Sequence, residues 1–263
     1  ECAAICGRSF RTSEVASALG MPELRVARML NELETEKSLI EDIDGRDREF
    51  FFSNSVTALV LQKRLHGMEE NRSDAREVAK EMHLGVIRSL LEEEEIDAGR
   101  VVRHARLAGS RADSYGIRFS AAALGDLVRR FAWPEAEAML ELIRPYREKG
   151  TEGLKQTHDY LEACVARGRG GQENRERAME LLLGILRGGE LEKEDDASLF
   201  DVATLYCETV YEEKDREELA VLHGQCARWL ADMSWGDEAT RLSLRYYKLL
   251  SQPSVDKRRD IGE

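Results

Sequence analysis

The sequence is short of residues that interrupt helices, and it has no long apolar run. Only four prolines occur among its 263 residues, at Pro22, Pro134, Pro145 and Pro253, so most of the chain is open to long helices. No stretch approaches the run of about 18 apolar residues that a membrane-spanning helix needs, and no secretory signal peptide is recognisable. We therefore expect a cytoplasmic chain that makes no membrane contact.

The sequence also has no excess of positive charge. Its formal net charge is −12, with 39 basic and 51 acidic residues, which argues against a surface dedicated to coating DNA or anionic lipid. Hydrophobic residues make up 42% of the chain and charged residues 34%. These proportions are typical of a globular, helix-rich protein.

Motifs that carry catalysis or bind cofactors are missing from the sequence. It contains no G-x-x-x-x-G-K-[ST] loop to cradle phosphate and no G-x-S-x-G turn to present a nucleophilic serine. The glycine-rich run at 168–171 follows no predicted strand, and we interpret it as a loop between helices. The sequence therefore predicts a chain without enzymatic activity and without a cofactor.

Cysteine and histidine are too scattered to predict a metal site. Cys2 and Cys6 share a helical face, but no other Cys or His pair lies near them in sequence. Three more cysteines are expected to be buried packing residues with inert thiols: Cys164, Cys207 and Cys226. The five histidines are interpreted as core or surface residues: His66, His83, His104, His158 and His223.

Residues 10–52 follow the order helix, turn, helix and two strands, which is the pattern of a winged helix. Ser13 is a plausible N-cap of the first helix, and Gly20 ends it. Pro22 then lies in the first turn of the second helix, where its missing N–H is harmless. The apolar face of that second helix is predicted from Leu24, Val26, Ala27, Met29, Leu30 and Leu33.

Two short strands are predicted after the second helix, at Leu39–Ile43 and Glu49–Phe52. The Asp44-Gly45 dipeptide between them favours a turn. Together they predict a two-stranded wing.

Every segment after residue 53 repeats on a helical period. Helices are predicted at about 54–65, 73–91 and 101–108, and then as an antiparallel stack near 112–130, 134–148, 151–167, 173–187, 197–213, 215–232 and 235–251. Residues 133–143 and 175–185 resemble each other, and their alignment places Ala136 and Ala178 42 residues apart. This spacing is within the range of two-helix repeats. Ala136, Ala138 and Ala178 are expected to let neighbouring helices approach closely.

The predicted fold is therefore mostly α, with an N-terminal winged helix that carries a two-stranded wing, followed by a TPR-like stack of antiparallel helices. The predicted domains are 1–66, a winged helix; 67–111, connecting helices; 112–252, helical repeats; and 253–263, a polar tail. The chain begins Glu-Cys-Ala-Ala-Ile-Cys-Gly without an initiator Met. We expect it to be part of a longer protein.

Three segments occur in the order found after the nucleotide-binding core of bacterial STAND-type, AAA-related signalling ATPases. Residues 50–56, Phe-Phe-Phe-Ser-Asn-Ser-Val, match an aromatic-Ser-His motif, with Asn54 in place of the usual His. Residues 82–87, Met-His-Leu-Gly-Val-Ile, resemble a Leu-His helix start, and residues 102–109 resemble the Ala-x-His…Ala-Gly segment before the repeats. The resemblance covers roughly residues 1–145. It implies a regulatory arm whose nucleotide site lies upstream, outside this chain.

A winged helix can read DNA through its second helix, which enters the major groove. The residues that could contact DNA are Arg25, Arg28, Arg46 and Arg48. The outward charges of the second helix are four acids and three bases, Glu23, Arg25, Arg28, Glu32, Glu34, Glu36 and Lys37. Because phosphate contact needs a basic surface, this balance favours a structural or protein-contact role over DNA binding.

Five aromatic residues could line a groove of the repeats and hold a peptide or partner helix: Trp133, Trp229, Trp235, Tyr246 and Tyr247. The alternative is that these side chains pack between helices. Three functions remain open. The chain is a non-catalytic regulatory segment that contacts a protein partner or an upstream ATPase domain, a DNA-binding regulator, or a passive scaffold. The sequence does not identify the partner or the oligomeric state.

Overall fold

The computed structural model of the protein describes residues 1–43, 49–65, 73–188 and 199–213, together with Gly224, Ala227, Arg228, Leu244, Arg245, Tyr247 and Lys248. As predicted, the described chain is mostly helical, with a small antiparallel sheet. It divides into two compact units. One consists of Glu1–Ala123 with Glu141–Tyr146, and the other of Leu124–Leu140 with Arg147–Glu263. The predicted domain limits remain predictions.

The N-terminal unit is built from short elements around a three-stranded sheet. Its elements are α1 (Cys2–Cys6), β1 (Ser9–Arg11), α2 (Thr12–Leu19), α3 (Glu23–Thr35), β2 (Ile40–Asp42), β3 (Glu49–Phe52), α4 (Ser55–Leu65), α5 (Ser73–Leu90), α6 (Ala98–Ala108), a 3₁₀ turn (Gly109–Ala112) and the start of α7 (Asp113–Arg129).

The two predicted strands are present as β2 and β3, but the sheet also contains a third strand, β1, that was not predicted. β3 lies in the centre, and β1 and β2 pair with it antiparallel. The added strand β1 places Phe10 opposite Phe50, and the two rings stack with centroids 6.1 Å apart. Phe10, Phe50 and Phe52 are all buried, because alternate positions of these strands face the core. The Asp44-Gly45 turn lies outside the described residues.

The helices of the winged-helix pattern begin and end close to the predicted positions, with one error. Gly20 takes the left-handed conformation and closes α2, as predicted. The prediction that Ser13 caps α2 is wrong. β1 runs directly into the helix, Arg11 occupies the N-cap position, and no side chain caps α2.

The apolar face of α3 is narrower than predicted. Val26 and Leu30, one turn apart, are buried against the unit, whereas Leu24 and Met29 are 62% and 45% exposed. Each residue advances about 100° around a helix, so Leu24 and Met29 lie on other sides of α3 from the Val26–Leu30 stripe. The prediction that they contribute to the buried face is therefore wrong.

Close packing of α2 on α5 requires glycine at position 85. A Cβ atom added to Gly85 would lie 2.5 Å from the Cα of Ala18. The Ser17 hydroxyl donates a hydrogen bond of 2.8 Å to the Gly85 carbonyl across the same contact.

The residues before α6 determine where that helix begins. Asp97 accepts a hydrogen bond from the Arg100 N–H, so α6 begins at Ala98, three residues earlier than predicted.

The second unit contains part of α8 (Trp133–Lys149), α9 (Glu152–Arg169), α10 (Gln172–Gly188) and α11 (Leu199–Glu213). Their positions agree with prediction to within a few residues. Two residues separate α8 from α9 and two separate α9 from α10, which allows antiparallel neighbours. The helices predicted at 215–232 and 235–251 lie outside the described residues, apart from isolated positions. No helix among the described residues is long and apolar enough to cross a membrane.

Small residues fill the centre of the second unit. Ala178 and Ala203 are fully buried where α9, α10 and α11 meet, beside Leu182 and Tyr206. Ala136 is also fully buried. The prediction that Ala138 lies at a helix contact is wrong, because Ala138 lies on the exposed side of α8, two residues from Ala136.

We expect Ala178→Phe to destabilise the second unit by about 1–3 kcal/mol, because no space exists at this contact for a larger side chain. Ala138→Phe is the matched control, since the same change on an exposed side of α8 should shift the free energy of unfolding by less than about 0.5 kcal/mol. Urea unfolding followed by tryptophan fluorescence measures both. Equal effects of the two substitutions would contradict the packing described.

Candidate functional site

The residues predicted to contact DNA are only partly within the described chain. Arg25 and Arg28 lie on α3 with exposed side chains, whereas Arg46 and Arg48 lie outside the described residues. Among the described charged side chains that are exposed on α3, β2 and the residues between them, five are acidic and three are basic: Glu23, Arg25, Arg28, Glu32, Glu36, Lys37, Glu41 and Asp42. The excess of carboxylates gives this surface a negative balance.

Apolar side chains are also exposed on these elements. Leu24 and Met29 on α3 are joined by Leu39 and Ile43, which are 39% and 37% exposed at the two ends of β2. A groove of about 290 Å³ lies beside the start of α3. Its walls are formed by Thr12, Leu24, Ala27, Arg28, Asn31, Asp42 and Phe50. The lining of the groove therefore mixes apolar and polar side chains with one cation and one anion.

A buried ion pair joins the elements behind this surface. Glu14 on α2 is completely buried, and its carboxylate accepts two hydrogen bonds from the Arg100 guanidinium on α6, of 2.8 Å and 2.7 Å. Arg100 also donates to the Cys6 carbonyl at 3.1 Å. Burial opposes the charge on Arg100, but the hydrogen bond and charge of Glu14 outweigh it and raise the pKa of the guanidinium. One side chain therefore ties α1, α2 and α6 together.

Two histidines that are distant in sequence meet in the same interior. The Nδ1 atoms of His83 on α5 and His104 on α6 lie 2.8 Å apart, and both side chains are buried. One ring must donate this hydrogen bond and the other accept it, so at least one imidazole is neutral. Burial, followed by the charges of His83, Arg100 and Arg103, lowers the pKa of His104 to about 3.

Sequence reasoning missed this histidine pair. It treated the five histidines as scattered, although His83 and His104 each lie in one of the segments that carried the family resemblance. The signal that could have found the pair is the apolar pattern of α5 and α6, which places both residues on the faces that two successive helices turn toward each other. The pair is a polar contact in a helix interface, and the described residues contain no group of three or more potential metal ligands.

The cysteines of the described chain are buried or half-buried and form no disulfide. Burial raises the pKa of Cys2 to about 11, and burial together with the neighbouring Cys2 raises the pKa of Cys6 well above its ordinary value. Burial also raises the pKa of Cys164 to about 11. These three thiols stay protonated at neutral pH, and for Cys164 this agrees with the predicted role as an inert packing residue. Cys226 lies outside the described residues.

Two of the five aromatic residues predicted to bind a partner lie within the described chain. Trp133 packs its ring on Gly168, where an added Cβ would lie 2.4 Å from the indole, and it meets Phe131 edge to face at 5.6 Å. Tyr247 packs against the core of the second unit, where burial raises the pKa of its phenol. Both contacts are packing contacts within one unit. Trp229, Trp235 and Tyr246 lie outside the described residues.

Comparison with known proteins adds no relative to these observations. The chain matches no protein-family model, and searches of curated proteins and of solved structures find no match. The interpretation of function therefore rests on the surfaces and contacts described above.

We expect stability to fall as the pH is lowered from 7 to 5, because the unfolded chain takes up a proton at His104 that the folded chain resists. The folded pKa of about 3 lies below the ordinary value of 6.5. The contribution of His104 is therefore complete above pH 6.5 and is lost progressively as the pH falls toward 3. Between pH 7 and pH 5 the loss from this residue is about 2 kcal/mol.

Urea unfolding followed by circular dichroism at both pH values measures this effect. His104→Asn should reduce the difference between pH 7 and pH 5 relative to the unsubstituted chain. His158→Asn in the second unit should reduce the difference in the same way, because burial and then Arg147 lower the pKa of His158 to about 4. If His104→Asn left the pH dependence unchanged, the buried, neutral state of the pair would be wrong.

Proposed function

We propose that this chain is a non-catalytic regulatory segment that acts through protein contacts. In this proposal residues 1–66 form a winged helix whose α3 surface meets another protein domain instead of DNA. The later helices form a TPR-like stack that receives a partner. The order of helices and strands in the N-terminal unit and the antiparallel neighbours in the second unit support this architecture.

The observation that carries the proposal is the composition of the α3 surface. A helix that enters the major groove meets phosphates on both sides, and such contacts depend on lysine and arginine. α3 and β2 instead expose more acids than bases, together with Leu24 and Met29. Exposed aliphatic side chains beside a recessed groove are typical of a protein interface.

The buried polar contacts would let this surface act as part of a switch. The pair formed by Glu14 and Arg100 links α2 to α6, and α3 follows α2 after a turn of three residues. In this proposal a displacement of α3 is transmitted through α2 and the Glu14–Arg100 pair to α6. A partner would alter the activity of a neighbouring domain, such as an upstream ATPase, only by binding two arrangements of the segment with different affinity.

We expect duplex DNA to bind this chain weakly and without sequence preference. At physiological salt the Kd should be no tighter than about 1 µM, the range of non-specific binding. Fluorescence anisotropy with labelled duplexes of random sequence measures it. The double substitution Arg25→Ala/Arg28→Ala should change the Kd by no more than the control Arg103→Ala/Arg106→Ala, which removes two exposed arginines from α6.

Nanomolar binding of a duplex at physiological salt, lost in Arg25→Ala/Arg28→Ala but kept in the control, would contradict the proposal. The chain would then be a DNA-binding regulator that uses α3 as its reading helix.

A further inference from the structure

The outer face of α4 carries a continuous row of aliphatic side chains. Val56, Leu59 and Val60 are 62%, 50% and 48% exposed. Their spacing of three and four residues places them in one stripe along the helix, and the exposed Lys63 continues that stripe by one further turn. A helix face that meets only water normally carries polar residues at these positions.

The inner face of α4 is held by small and polar contacts. Ala58 is buried, and the Gln62 amide donates a hydrogen bond of 2.5 Å to the Ala4 carbonyl. At the start of the helix the Asn54 side chain accepts from the Val56 N–H at 2.8 Å. The three exposed aliphatic side chains therefore contribute little to the packing of α4. Their apolar surface is available to a partner.

The charge on α4 is of one sign. The helix contains Lys63 and Arg64 near its end and no acidic residue. Both basic side chains are exposed, and Arg64 stays 70% exposed although its guanidinium lies 3.8 Å from the Glu1 carboxylate. Within a chain of net charge −12, this helix offers an apolar stripe that ends in positive charge.

We propose that the α4 stripe (Val56, Leu59, Val60 and Lys63) is the docking site for an acidic amphipathic helix of a partner protein. The apolar side of that helix would cover the aliphatic side chains, and its carboxylates would face Lys63 and Arg64. A helix fits this site because a straight stripe with helical spacing offers ridges that a second helix can pack against.

The charges argue against a pair of α4 helices from two copies of this chain as the natural arrangement. Two α4 helices side by side would bring basic residues together in a parallel pair, and an antiparallel pair would supply no carboxylate from α4 to meet them. The two basic residues of α4 are also too few for an anionic lipid surface, which interfacial helices meet with a polar face rich in Lys and Arg. An acidic helix complements both the shape and the charge of the stripe.

The inference rests on the proposed role in protein contact, but it concerns a different surface from α3. Its test uses the whole chain and a fluorescein-labelled synthetic peptide that is helical, with leucines along one side and glutamates on both flanks. Fluorescence anisotropy should give a Kd in the range of tens of micromolar, which is roughly the affinity of a small, single-helix contact.

Substitutions on α4 should separate the two parts of the site. Leu59→Ser and Lys63→Glu should each weaken peptide binding by about tenfold or more, and added salt should weaken binding to the unsubstituted chain. Val78→Ser removes an equally exposed aliphatic side chain, 49% exposed, from α5, and it should leave the Kd unchanged. A peptide with lysines in place of its glutamates should bind at least about tenfold more weakly.

Circular dichroism should show the same helix content and melting temperature for all three variants, because each changed side chain is exposed. If Leu59→Ser altered the fold, Lys63→Glu would carry the test, since it changes only an exposed charge. Peptide binding that is absent, or that survives both α4 substitutions, would overturn the inference. Dimerisation of the chain, or binding to vesicles of anionic phospholipid, would also overturn it if Leu59→Ser abolished that association. None of these results would alter the DNA measurement that tests the α3 surface.

Discussion

The ion pair between Glu14 and Arg100 is the contact on which the N-terminal unit depends. A fully buried carboxylate loses its hydration, and this loss is tolerable only when a cation and hydrogen bonds replace the water. Arg100 supplies both through two bonds to Glu14, and its third bond reaches the Cys6 carbonyl. The distant helix α6 is thereby fixed against α1 and α2 in one arrangement. Apolar contacts between helices tolerate small shifts, whereas these directional hydrogen bonds are all satisfied in only one relative position of α1, α2 and α6.

The neighbouring polar contacts act in the same interior and narrow the arrangement further. The histidine pair aligns α5 with α6, and the bond from Ser17 to the Gly85 carbonyl aligns α2 with α5. Because these contacts fix the helices from inside, α3 and α4 can present apolar side chains outward without loss of the fold. The two surfaces differ in charge, since α3 and β2 expose mainly acids and α4 carries only bases. The α3 and α4 surfaces proposed as contact sites are therefore chemically distinct.

Local signals in the sequence predicted the helices well and the pairings poorly. Caps and apolar periodicity located α7 to α11 to within a few residues, because these features act over one or two turns. Strand β1 was missed because Ser9–Arg11 is too short to alternate visibly, and it exists only through pairing with β3. The Glu14–Arg100 and His83–His104 contacts were missed because they, too, form only when segments that are distant in sequence pair in the fold. Exposure of Leu24 and Met29 depends on which side of α3 meets the core, and periodicity alone leaves that choice open.

A double-mutant cycle on the buried pair tests the central claim most directly. Urea unfolding followed by circular dichroism should show that Glu14→Gln and Arg100→Met each cost about 2–4 kcal/mol, a range reduced because Arg100 is 26% exposed. The double variant Glu14→Gln/Arg100→Met should cost much less than the two single effects together, because neither charge is then left alone. The exposed pair of Glu77 and Arg111 is the control, and its two single effects should be small and should add. Single costs below about 1 kcal/mol for Glu14 and Arg100, or costs that simply add, would contradict the claim that this pair holds the unit together.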